Sequence, residues 1–83
     1  MSLIYVILEA EDRYPVITAS SLKKAEELLN DYMGIGPNYP DSEVEYVGFT
    51  PYDSAYADPN EGIITYKSEG EIHKFIRYCM PID

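Results

Sequence analysis

His73 and Cys79 are the one histidine and the one cysteine of this 83-residue chain. They are the residues that could pair as a thiol nucleophile and its base. That chemistry needs the two side chains within hydrogen-bond reach of each other. Both lie in the run from Glu71 to Met80, which reads as one strand. Six residues of strand span about 20 Å, so the pair cannot meet within one chain. Cys79 is expected to be a small core or interface residue, and His73 a sheet-surface residue.

Metal and cofactor chemistry fares no better. A structural zinc site takes about four Cys or His ligands, and the chain holds two in all. Asp53, Asp58, Asn60 and Glu61 put oxygen ligands in one stretch before Gly62, but without the alternation of a calcium loop. They read as turn residues. Gly34-Ile35-Gly36 follows a helical pattern rather than a strand, so it is no dinucleotide fingerprint. The 15 acidic residues offer no means of choosing a catalytic pair. No enzyme, cofactor or metal is expected.

What remains is recognition, and the charge distribution shapes it. The net charge is −9, from 15 Asp and Glu against 6 Lys and Arg. No Lys or Arg occurs between Lys24 and Lys67, while Glu26, Glu27, Asp31, Asp41, Glu43, Glu45, Asp53, Asp58 and Glu61 fall in that interval. The rest of the chain is balanced. Six of the nine tyrosines share the interval: Tyr32, Tyr39, Tyr46, Tyr52, Tyr56 and Tyr66. Net charge keeps small proteins apart in solution, which is the plain explanation. The sharper one is an acidic face that steers a basic partner, with tyrosines as contact groups.

On that reading the partner-binding residues are Tyr39, Asp41, Glu43, Glu45, Tyr52, Asp53, Tyr56, Asp58 and Glu61. The partner is a protein with a basic surface. Direct nucleic-acid binding is disfavoured, because phosphate contacts need clustered Lys or Arg. In the extreme form the chain mimics nucleic acid, with carboxylates in place of phosphates. Glu43 and Glu45 on one strand face would stand about 6.7 Å apart, close to two axial rises of a DNA strand, about 6.8 Å. Compact acidic, Tyr-rich domains of this size resemble in type the small regulatory proteins of phages and other mobile elements, which implies inhibition or regulation. The alternative is a small-molecule module with a Tyr-lined pocket, drawing on the 34–41 and 51–60 loops and placed within one chain or between two copies. Its acidity would suit a cationic or neutral ligand. Tyr5 and Tyr66 read as packing residues.

The elements that must position these groups follow from periodicity. Leu3 to Leu8 is a short β-branched apolar run, expected as a strand buried on both faces and central in its sheet. Tyr14 to Thr18 reads as a second strand, with Pro15 at its start or on an edge. Ser20 or Ser21 can cap a helix. Leu22, Ala25, Leu28, Leu29, Tyr32 and Met33 then recur at spacings of three and four, giving one apolar face. Gly34 is a natural stop, and Pro37 prevents continuation. Glu43 to Thr50 alternates as a strand, with Gly48 at a bulge or a close backbone approach. Pro51 to Asn60 is a long loop, a length that often carries function. Gly62 to Lys67 and Glu71 to Met80 form a hairpin turning at Ser68-Glu69-Gly70, and Pro81 ends the last strand.

The expectation is an α+β domain over residues 1–83, of order β-β-α-β-β-β. Four to five mostly antiparallel strands carry one amphipathic helix on one face. One helix cannot cover both faces, so the other face is solvated or buried by a partner or a second copy, as in a homodimer. The longest apolar run is six residues, too short for a membrane span or signal peptide. A lone cysteine is the usage of a reducing, cytoplasmic setting.

Overall fold

The computed structural model describes residues Ser2 to Ile82. Five strands and one helix follow in the expected order: β1 (Ser2–Glu9), β2 (Pro15–Ala19), α1 (Leu22–Met33), β3 (Glu45–Pro51), β4 (Gly62–Ser68) and β5 (Glu71–Ile82). All neighbours pair antiparallel, in the spatial order β2-β1-β5-β4-β3. Every sequential strand pair except β2–β3 is a hairpin or a short return. The final strand inserts between β1 and β4 and closes the sheet.

Helix α1 forms where the pattern places it, because its ends are capped by the residues that suit them. Ser21 holds an extended conformation, and its hydroxyl accepts from the Lys24 amide at 3.1 Å. Gly34 turns left-handed at φ 82° and donates to the Asp31 carbonyl, while the next amide, of Ile35, returns to Asn30 at 2.7 Å. Ala25 and Leu29 are buried beneath the helix. The core joins them to Ile7, Ile17, Ala19, Ile64, Tyr66 and Phe75. Tyr66 is 1% exposed, which bears out its reading as a packing residue. Its hydroxyl donates to Asn30 Oδ1 at 2.7 Å.

The turn between β4 and β5 puts both Glu69 (φ 52°) and Gly70 (φ 81°) in the left-handed region. A two-residue hairpin connection favours that geometry, because its twist matches the flanking strands. The β3–β4 ladder shifts register between Tyr46 and Gly48, so the expected bulge lies here, with Val47 turned out to solvent.

Three expectations are corrected. The central strand is β5; β1 is interior beside it, with Val6 and Ile7 buried on its two faces. The third strand begins at Glu45, so Glu43 lies in the preceding loop. Pro81 does not end β5, which runs on to Ile82. The nitrogen of Pro81 points the same way as that of Cys79, which donates to the Glu61 side chain past the end of β4. Among the described residues no strand lies on that side, so the missing N–H costs nothing.

The two faces of the sheet differ. Helix α1 packs over β2 and β1 and stops short of β4 and β3. The connection from α1 to β3 covers part of the remainder by packing Ile35 and Val44 against the core. Among the described residues, no element covers the opposite face. By register it carries Ile4, Val6, Leu8, Ile63, Ile76, Tyr78 and Met80.

Candidate functional site

The nine residues singled out from the sequence divide into two groups at opposite ends of β3, an edge strand. Tyr39, Asp41, Glu43 and Glu45 precede or open it; Tyr52, Asp53, Tyr56, Asp58 and Glu61 follow it. The six steps from Glu45 to Pro51 separate the groups by about 20 Å. The expected single face is therefore an edge with an acidic patch at each end.

In the first group, turns through Gly36, Tyr39 and Ser42 shape the loop: Tyr39 donates to Gly36 O at 3.0 Å and Ser42 to Tyr39 O at 3.2 Å. The Asp31 carboxylate, as hydrogen-bond partner, raises the pKa of the Tyr39 hydroxyl. Asp41 and Glu43 are exposed. Glu45 stands opposite Lys67 on the open face of the sheet, which locally offsets its charge. Because β3 begins at Glu45, Glu43 precedes the strand, and the shared strand face assumed for the two carboxylates is not formed.

In the second group, the loop is held by its own side chains. Glu61 Oε1 accepts from the Asp58 amide at 2.9 Å, and Glu61 Oε2 accepts from the Cys79 amide at 3.2 Å. Asp58 Oδ1 accepts from the Asn60 amide at 2.8 Å. Glu61 and Asp58 are thus loop staples, and Glu61 extends the β5 ladder where β4 has not yet begun. The groups left facing solvent are Tyr52, Asp53 and Tyr56, the last 99% exposed. Ser54 Oγ accepts from the Tyr56 amide at 3.2 Å, setting the loop tip.

Cys79 and His73 share the helix-side face of β5, six residues apart. Burial, then the neighbouring Asp58 and Glu61 carboxylates, push the Cys79 thiol up, which disfavours the thiolate a nucleophile needs. His73 lies in a wide groove of about 930 Å³ with Glu9, Glu71, Tyr32 and Phe75. Tyr14 and Tyr32 flank this end; hydrogen bonds with Tyr32 and then Glu9 push the Tyr14 hydroxyl up to about 12. Among the described residues, no three His, Cys, Asp or Glu side chains are placed to hold a metal ion. No described helix is long and apolar enough to cross a membrane.

Arg77 is the residue that sequence reasoning missed. It is 4% exposed in the centre of the sheet. Its Nε donates to the Asn60 carbonyl at 2.8 Å, its Nη1 meets Glu26 Oε1 at 3.4 Å, and its guanidinium lies over the Phe49 ring. The signal was present: Phe75, Arg77 and Cys79 alternate inward, so the arginine had to be buried and to find partners. Beside it opens a cleft of about 280 Å³ between α1 and the β3–β4 half of the sheet. Tyr46, also outside the singled-out set, forms its rim and packs edge-on against Tyr66 at 5.4 Å.

Comparison of the chain with protein-family models, with curated proteins and with solved structures found no match.

Proposed function

We propose that this chain is a non-catalytic binding protein, an inhibitor or regulator that turns the β3 edge and its two flanking loops toward a basic site on a partner protein. The carrying observation is Tyr56. Its ring is 99% exposed, so it adds nothing to the core, yet the loop that displays it is stapled by Asp58 and Glu61. A contact group on an ordered loop binds with less ordering entropy to lose. Asp53 beside it, and Asp41 and Glu43 at the far end of β3, steer the encounter. Lys- and Arg-lined sites of nucleic-acid-binding proteins have the complementary charge.

The test compares the intact chain with the Asp41→Lys, Glu43→Lys, Asp53→Lys variant as bait, with elution in salt steps. Basic proteins held at low salt, released at moderate salt and lost by the variant are the expected result. Equal capture by the two baits overturns the assignment.

The open sheet face supports a second reading, self-association. Leu8, Ile76 and Ile63 form one apolar row across three strands, flanked by Val6 and Tyr78. Lys67, Lys74 and Glu45 are its charged neighbours, so this face escapes the acidity of the chain. Five strands at about 4.8 Å spacing and a strand length of about 20 Å give a footprint of about 480 Å². Two copies would bury about 1,000 Å², the low end for a specific interface. Sedimentation equilibrium should show a concentration-dependent dimer that Ile76→Lys abolishes; a monomer at all concentrations ends this reading.

A further inference from the structure

Arg77 has hydrogen-bonding capacity that the fold does not use. Its Nε serves the Asn60 carbonyl, and its Nη1 meets a Glu26 carboxylate at 3.4 Å. That is long for a charge-assisted bond, which is about 2.7–2.9 Å. The Glu26 side chain is 54% exposed, so water competes for it and the pair is weakly held. Among the described residues, no buried side-chain nitrogen or oxygen lacks a partner. Among the described residues Nη2 has no partner, so it borders open space. The open space beside Arg77 is the 280 Å³ cleft.

The rest of the cleft is built differently. Leu29, Ile35 and Ile64 give it apolar walls, Glu26 and Asn30 add polar groups on the helix side, and Tyr46 supplies an aromatic rim. It exists because α1 covers β2 and β1 and not β4 and β3. An apolar cavity of about 150 Å³ takes a benzene ring, so this one has room for a ring and a small polar group. A planar guanidinium at one end selects a planar, bidentate acceptor. A cation would meet Arg77, and a purely apolar ligand would leave its donors unmet.

We propose that the cleft between α1 and the β3–β4 half of the sheet is a binding site for a small aromatic carboxylate. The ring lies among Leu29, Ile64 and Tyr46. The carboxylate takes the free edge of Arg77, and Glu26 swings out to solvent. This reverses the sequence expectation of a cationic or neutral ligand, because the one buried charge of the site is positive. It also stands apart from the acidic edge: neither depends on the other. The net charge of −9 opposes an approaching anion at long range, and salt screens that repulsion. Carboxylate affinity therefore holds or rises with salt, while binding of a basic protein at the edge falls.

The test is a titration of the intact chain with benzoate, followed by heteronuclear NMR, with benzyl alcohol as the uncharged control. Saturable shifts at Arg77 Nε, Ile64 and Tyr46, undiminished by added salt and at least tenfold weaker with benzyl alcohol, are expected. Glu26→Gln removes the competing carboxylate and should tighten benzoate severalfold. Arg77→Lys should weaken it at least tenfold. Should Arg77→Lys fail to fold, Glu26→Gln and the salt series still decide. Shifts that do not saturate, that map away from the cleft, or that benzyl alcohol reproduces at equal affinity overturn the proposal, as does a Glu26→Gln variant that binds no more tightly.

Discussion

The guanidinium carbon of Arg77 lies 4.2 Å from the centre of the Phe49 ring, although β4 separates their strands. The contact is possible because the residue between them is Gly62, which pairs with both Arg77 and Pro51. With no side chain there, the arginine reaches across β4 to the aromatic face and to the Asn60 carbonyl. One long side chain thus ties the central strand to the edge strand, to the 52–61 loop and to α1.

Arg77→Met should therefore destabilise the fold by about 2 kcal/mol. It removes the donor to Asn60 and the cation–π contact while keeping most of the volume. Glu26→Gln should cost less than about 1 kcal/mol, since its side chain is half in water. Urea unfolding of the two variants measures both, and equal losses would show that the ion pair, rather than the Asn60 and Phe49 contacts, holds Arg77.

Gly62→Ala should be among the most damaging single substitutions. A Cβ there would stand 2.3 Å from the Thr50 carbonyl oxygen and 2.7 Å from the Pro51 Cα. Both are backbone atoms, so β3 must move and Phe49 with it. A loss of about 3 kcal/mol or more is expected. Gly48→Ala meets nothing within 4 Å and should change stability by no more than about 0.5 kcal/mol. Thermal unfolding of the pair tests the contrast.

Glu61→Gln keeps the shape of the staple but replaces one of its two accepting oxygens with an NH2 that cannot accept. The amides of Asp58 and Cys79 should exchange with solvent faster, and the 52–60 loop should become more open to proteases, while the β1–β2 amides keep their protection. Unchanged exchange at Cys79 would show that the backbone, not Glu61, orders this loop.

The alkaline limb of stability should report Tyr66. Burial, then Tyr46 and Glu26, push its hydroxyl from the ordinary value of 10.0 up to about 12. Between those values the unfolded chain has released a proton that the folded chain retains, so stability falls as pH rises. Its contribution is complete below about pH 10 and is lost through about pH 12. Tyrosinate absorbance in the folded protein should show Tyr14 and Tyr66 titrating near 12, above the ordinary tyrosine value of 10.0. Asn30→Ala would remove the Tyr66 hydroxyl's acceptor and test whether that bond helps to keep the ring in place.

Much of this architecture was legible in the residues. The helix could be placed to within a residue at its start and at Gly34 at its end, because a serine cap, an apolar stripe at spacings of three and four, and a glycine stop are all local signals. The five strands, the bulge at Gly48 and the tight turn at Gly70 were also local, set by alternation and by glycine's access to positive φ. Composition placed the acidic, base-free interval and its tyrosines. Arg77 shares the alternation of Phe75 and Cys79, a local signal for burial that sequence reasoning passed over. What only the tertiary structure decided was neighbourhood. Alternation says which residues share a face but not which strand lies alongside, because pairing joins residues far apart in the chain. The insertion of β5 between β1 and β4 made it the central strand and gave Arg77 its partners. The length of β3 parted the acidic residues into two patches. The close packing of the α1 backbone on β1 and β2, with only side chains reaching β4 and β5, opened the cleft beside Arg77, since one helix is too narrow to span five strands.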